Sequence, residues 1–266
     1  MQSNQRPLVQ SRPDVSLMQA LTPSTILPIG NTLAEGWRLF LKSIAVIFLP
    51  LWVAGLVDVL PSIFTGGGLL MGSVSWWMLV VTVAAWLVES ILFGSAIAKL
   101  NACATNSKLS YIRALRIGMR AAPALLIGDL LYNLAAWGGV ILFIVPGIIL
   151  GTTLAFFAYA AVLDHKRTFD ALGYSHRLAW PDWWRTSIVI SSPAIVLFVY
   201  DVIAGWSDIM GALREASSGQ MPSTASLINP WYDMGLMPLL GAVVWCYVLA
   251  VCYVQYIRIK KRAENH

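Results

Sequence analysis

Residues Leu125 to Arg177 read LLIGDLLYNLAAWGGVILFIVPGIILGTTLAFFAYAAVLDHKRTFDALGYSHR. The apolar run breaks once, at Val145-Pro146-Gly147, and then gives way to Asp164-His165-Lys166-Arg167. Apolar runs of this length cross hydrocarbon, a Pro-Gly pair reverses a chain, and a charge run ends a crossing. The stretch therefore predicts two membrane-crossing helices joined by a tight Pro-Gly turn and followed by an amphipathic helix on the membrane surface. Residues 123–163 supply about 60 Å of helix for two crossings. The turn is expected below the outer surface, its free carbonyls shielded by neighbouring helices.

Composition extends this reading outward. The chain has 266 residues, 58% of them hydrophobic and 12% charged, with a mean hydropathy of +0.70. A soluble domain is about a quarter charged, so a water-soluble globule is not expected. The net charge of +5 would suit nucleic acid if the basic residues formed one patch. They fall instead in clusters between apolar segments, as in loops facing one compartment, so no nucleic-acid partner is expected. Cys103, Cys246 and Cys252 form neither a disulfide framework nor a metal spacing.

Residues 1–30, rich in Pro, Ser and Gln and without a signal-peptide core, are expected to form a mobile cytoplasmic tail. Residues 31–262 then form a single transmembrane domain. Thr32 and Glu35 have capping-box spacing and predict a helix start at Thr32. Leu33, Trp37, Phe40 and Leu41 share one face and Glu35, Arg38 and Lys42 the other, which predicts a surface helix ahead of the first span. Six apolar runs follow, at about 43–64, 76–100, 123–145, 148–163, 186–206 and 236–257. Every Lys and Arg except Arg214 falls on one side of this layout, so both termini are expected in the cytoplasm. Trp76, Trp77, Trp206 and Trp231 would mark the outer interface, and Trp37, Trp180, Trp183 and Trp184 the inner one.

A short repeat fits the same layout. Leu-x-x-Gly/Ser-x-Arg occurs at Leu33-Gly36-Arg38, Leu115-Gly118-Arg120 and Leu172-Ser175-Arg177, each copy preceding a pair of apolar runs. The unit would be a cytoplasmic amphipathic helix followed by a helical hairpin, used three times. The expected fold is thus all-α and polytopic, with six transmembrane helices and three cytoplasmic amphipathic surface helices. In the second copy Ile112, Leu115 and Met119 form an apolar stripe and Arg113, Arg116 and Arg120 a basic one. With Arg177 of the third copy, these arginines are the expected contacts to anionic lipid headgroups.

From Pro146-Gly147 through Ala171-Leu172-Gly-Tyr-Ser175-His-Arg177 to Trp183-Trp184, the chain resembles a group of largely uncharacterised bacterial six-helix integral membrane proteins. That group is allied to the membrane region of glycerophosphodiester phosphodiesterases. In it a Pro-Gly turn precedes an apolar helix, an Ala-Leu-x-x-Ser-x-Arg surface helix and an aromatic before the next span. The resemblance implies an architecture and a bacterial inner-membrane setting, but no reaction.

Four carboxylic acids lie at membrane depth: Asp58, Glu89, Asp129 and Asp201. A lone carboxylate near the bilayer centre costs about 2.5 to 3.5 kcal/mol, so each must be protonated, hydrogen-bonded or wet. Asp58 and Asp201 fall near the outer interface, where the cost is small. Glu89 falls mid-span, and Asp129 shares a helix face with Asn133. Glu89, Asp129 and Asn133 are therefore the candidate intramembrane polar site, for a proton, a cation or a polar substrate. The same residues also suit plain interhelical hydrogen bonding, worth about 0.6 kcal/mol.

Other features read as structure. Gly147-x-x-x-Gly151-x-x-x-Ala155 permits close helix packing. Asp164-His165-Lys166-Arg167 reads as a stop and orientation signal. The histidines have no metal-ligand spacing, and Gly66-Gly67-Gly68 is remote from any phosphate-binding helix start. The outer loop 207–235 is either a flexible connection or a surface for an envelope partner.

Two functions follow as expectations. The first is a non-enzymatic membrane protein that binds or transports a small molecule, ion or lipid and needs no cofactor. The second is a scaffold that holds a protein partner through its basic surface helices. An enzyme would need acid, histidine and nucleophile clustered at the interface, which the sequence does not offer.

Overall fold

Long apolar runs satisfy their backbone hydrogen bonds internally, and they fold here as long helices even across interior prolines such as Pro123 and Pro193. A computed structural model describes residues 29–65, 76–142, 144–217 and 235–265. The elements are α1 (Ile29–Thr65), α2 (Trp76–Ala104), α3 (Tyr111–Leu142), α4 (Ile144–Leu154), α5 (Phe157–Leu163), α6 (Thr168–Ala179), a 3-10 turn (Trp180–Asp182), α7 (Trp183–Ser217) and α8 (Met237–Glu264). No strand occurs among the described residues. Most of the expected tail (1–28), Gly66-Gly67-Gly68 and residues 218–234 of the expected outer loop lie outside them.

Five segments are long and apolar enough to cross a membrane: Ile29–Val59, Leu79–Ala104, Tyr111–Ile141, Val145–Leu163 and Pro238–Glu264. The run expected at 186–206 lies wholly within helix α7, which continues to Ser217 into what the sequence suggested was loop.

Packing is cyclic. α1 packs on α2, α2 on α3, α3 on α4, α4 on α7, α7 on α8 and α8 back on α1, while α6 sits against α3, α4, α5 and α8. α1 and α8 run antiparallel. Gly36 lies against Val251, Phe40 stacks edge-on with Tyr247 at 5.9 Å, and Gly55 lies against Pro238. Close approach explains the small residues. A Cβ on Gly118 would overlap the Ile91 carbonyl of α2, and one on Gly139 would come within 2.8 Å of the Gly147 backbone.

Several expectations are corrected. The helix does not start at a Thr32 capping box: α1 begins at Ile29. Arg258 of α8 instead donates to Thr32 Oγ1 at 2.6 Å and pairs with Glu35 at 2.6 Å. A buried guanidinium is a stronger partner for these oxygens than a backbone N–H at a solvated helix end.

The first two surface helices are not separate elements. α1 runs unbroken through Lys42-Ser43, and α3 runs unbroken through Pro123. Nothing at Lys42-Ser43 breaks a helix, and Pro123 costs α3 one backbone bond without ending it. Only the third, α6, stands alone.

The chain reversal is not at Pro146-Gly147 either, because both lie in the first turn of α4. Proline is tolerated there, since a first-turn N–H has no intrahelical partner. Gly147 serves instead to let α4 meet α3. The fourth crossing is broken at Ala155-Phe156 into α4 and α5. Ser175 of α6 spans the break, donating to the Thr153 carbonyl at 2.7 Å and accepting from the Phe156 N–H at 3.1 Å.

Residues Gly36, Gly118 and Ser175, the small position of each repeat copy, are all buried, and Arg38, Arg120 and Arg177 are all exposed. The shared pattern thus marks three points of close helix contact, each followed by an exposed arginine.

Candidate functional site

The basic residues of α1, α2 and α8 gather at one end of the bundle through contacts between distant segments. Lys99 donates to the Leu109 carbonyl at 2.7 Å with its ammonium 3.8 Å from the Tyr111 ring, and Tyr111 donates to the Val46 carbonyl at 2.9 Å. Lys260 pairs with Asp164 at 2.5 Å, and Tyr256 donates to the other Asp164 oxygen at 2.5 Å. Arg262 pairs with Asp182. Gln255 donates to Thr186 at 3.2 Å deep in the same region.

Beside this network lies a groove of about 620 Å³ between α3 and the corner joining α5 to α6. The volume is in the range of sites that hold small ligands. Ile117, Arg120, Ala121, Ala124 and Ile127 of α3 line it, all on one helical stripe. Pro123 and Ala161 complete its apolar wall, and His165, Lys166, Arg167 and Thr168 close its basic end.

Local structure explains why these cations are available. His165 has φ of 53°, and the left-handed turn that follows splits the charge run. Asp164 is held by Tyr256 and Lys260, while His165, Lys166 and Arg167 go to the groove. Lys166 holds its ammonium 4.3 Å from the Tyr174 ring. Burial first, and then the charge of Asp164, push the Tyr174 phenol above its ordinary range, so it stays a neutral ring under that ammonium. Arg167 is the N-cap of α6 and makes no side-chain cap bond, and Asp170 in the first turn is the acid at that helix start. No acid lines the groove, and the described ion pairs use neither Arg120, Lys166 nor Arg167.

The predicted intramembrane residues lie elsewhere. Glu89 of α2 is half-buried and within electrostatic reach of both Asp58 of α1 and Asp129 of α3. Asp58 and Asp129 are exposed on the helix surface. Asn133 is exposed too, and its side-chain amide donates to the Asp129 backbone carbonyl at 2.9 Å. The structure therefore leaves Glu89 within electrostatic reach of Asp58 as well as Asp129, where the sequence singled out Asp129 alone as its companion. The side chain of Asp201 lies outside the described residues. No group of three His, Cys, Asp or Glu residues among the described residues has the geometry to hold a metal ion.

No family model matches the chain. No curated protein and no solved structure matches it either. The site thus has to be read from its own residues.

Of the four arginines expected at lipid headgroups, only Arg120 enters the groove. Arg113 and Arg116 are exposed on α3 outside it, and Arg177 is exposed on α6. Sequence reasoning assigned His165, Lys166 and Arg167 to topology alone. The available signal was that three of the four residues in that run are basic or imidazole, and that a twelve-residue helix follows directly.

Proposed function

We propose that this is a six-span, non-enzymatic protein of a bacterial inner membrane, with cytoplasmic termini, and that it binds an anionic lipid in the groove between α3 and the α5–α6 corner. One observation carries the reading: unpaired cations at one end of the groove continue into an apolar wall on α3, the chemistry of a charged headgroup attached to hydrocarbon. α7 supplies the sixth crossing in this reading, and the basic end faces the cytoplasm by the positive-inside rule. Native mass spectrometry of protein gently extracted from its own membrane tests it. A retained anionic lipid that is lost in Arg120→Gln/Arg167→Gln is the expected result. A lipid-free protein, or equal retention by the variant, would overturn it.

The electrostatic reach of Asp58 and Asp129 to Glu89 favours a second reading, a site for a cation or proton between α1, α2 and α3. Uptake by vesicles containing the protein, compared with Glu89→Gln and Asp129→Asn, tests that reading. Unchanged flux in both variants would remove it.

A further inference from the structure

Resting on the lipid reading, we infer that the groove is built for a lipid ending in a phosphate monoester, in preference to the phosphodiester headgroups that make up most anionic lipid. Charge is the first argument. Arg120, Lys166 and Arg167 bring three formal positive charges to the groove, and no carboxylate lines it. Of the two acids nearby in sequence, Asp164 is already held on both oxygens by Tyr256 and Lys260, and Asp170, in the first turn of α6, is exposed outside the groove. A phosphodiester carries one negative charge, whereas a monoester carries about −1.5 to −2 at neutral pH and offers three terminal oxygens. Of a single diester and a monoester, the monoester comes nearer to neutralising this lining.

Geometry is the second argument. The donors come from two walls. Arg120 stands on α3, and Lys166, Arg167 and the Thr168 hydroxyl stand on the opposite corner, with the uncapped start of α6 beside them. A terminal phosphate presents oxygens to both walls at once. A diester, with a second oxygen carrying a substituent, has two terminal oxygens to present in place of three. The apolar stripe Ile117, Ala121, Ala124 and Ile127 begins next to Arg120 and runs along α3. It gives the hydrocarbon of the same molecule a surface, which marks the ligand as a lipid and not free phosphate.

The test uses the full-length protein in detergent and native mass spectrometry titrations with dioleoyl phosphatidic acid, dioleoyl phosphatidylglycerol and inorganic phosphate. Phosphatidic acid is expected to bind about tenfold or more tightly than phosphatidylglycerol, the effect of one additional charge-assisted hydrogen bond. Arg120→Gln and Arg167→Gln should each erase most of that preference. Arg113→Gln/Arg116→Gln, which alters exposed arginines outside the groove, should leave it intact. Helical circular dichroism of each variant checks that it is folded.

Equal binding of the two lipids, both lost in Arg120→Gln/Arg167→Gln, would overturn the monoester inference and leave the anionic-lipid reading standing. Binding of neither lipid above dioleoyl phosphatidylcholine would overturn both. Inorganic phosphate that competes as well as phosphatidic acid would make this a free-anion site. A preference lost equally in Arg113→Gln/Arg116→Gln would make it a property of the whole basic surface.

Discussion

Around Tyr256, at the basic end of the bundle, side chains from α2, α5, α8 and the α4–α5 break close on one another. The Tyr256 ring is buried 5.6 Å from Tyr159 and 5.9 Å from Phe156, and its hydroxyl reaches Asp164. Tyr159 donates to the Leu249 carbonyl at 3.0 Å, and Tyr253 to Asn101 at 2.7 Å. At the other end, around Trp137 and Ile141 of α3 and Trp76 of α2, comparable apolar side chains are exposed among the described residues. Ile141 is 82% exposed and Trp76 73%. Hydropathy does not separate the two regions. What differs is polar groups with fixed partners: Tyr256, Tyr253, Ser175 and Arg258 at the basic end each bond a group outside their own helix, which holds the helices in one arrangement. Apolar surface facing lipid has no such requirement, because lipid tails are as apolar as leucine.

Substitutions at the two ends should therefore differ, and unfolding of the detergent-solubilised protein measures by how much. The largest loss is expected for Arg258→Leu, which strands Glu35 and Thr32 at the α1–α8 contact. Breaking a buried ion pair costs about 3 to 5 kcal/mol, and a loss below about 1 kcal/mol would show that this clasp contributes little.

Next come two glycines of the same helix. Gly118→Ala meets the α2 backbone and should cost about 1 to 3 kcal/mol, whereas a Cβ on Gly138 meets nothing within 4 Å. Gly138→Ala should be neutral or stabilise by about 0.5 to 1 kcal/mol through helix propensity. Equal effects at the two positions would abolish the contrast between the ends.

Ser175→Ala removes both hydrogen bonds across the α4–α5 break, at an expected cost of about 1 to 3 kcal/mol for the unsatisfied groups. Hydrogen exchange at Phe156 should quicken with it; unchanged exchange would mean that the break is held by other contacts. The smallest effect is expected for Glu89→Gln. Its side chain is half-buried toward the open end, so stability should change by less than about 0.5 kcal/mol. A larger loss would place Glu89 among the structural contacts of the bundle.

The residues most legible in the sequence were those whose role depends on position along one helix. The apolar runs and the small residues of Gly147-x-x-x-Gly151 belong to that class, and a Cβ on Gly151 would come within 4 Å of α3 at Ala136 and Tyr132. Asp129 and Asn133 were also correctly placed one turn apart, though Asn133 spends its amide on its own helix. Less legible were residues whose partners are distant. Thr32 and Glu35 fit a local capping box in sequence, yet Arg258 claims both from more than two hundred positions away. Asp164 read as part of a surface charge run, and α8 draws it inward.

Hydropathy and charge order by themselves determined that the chain is helical, that it carries membrane-length apolar segments, and where its basic residues concentrate. Those properties follow from backbone satisfaction in lipid and from the 1.5 Å rise per residue, which act on each segment alone. Tertiary structure alone decided that α1 and α3 run unbroken, that α4 and α5 part at Phe156, and that Arg120 meets Lys166 and Arg167 across a groove. These outcomes depend on which helices touch, and the energy of a polar group in such a contact is set by a partner that sequence neighbours do not reveal.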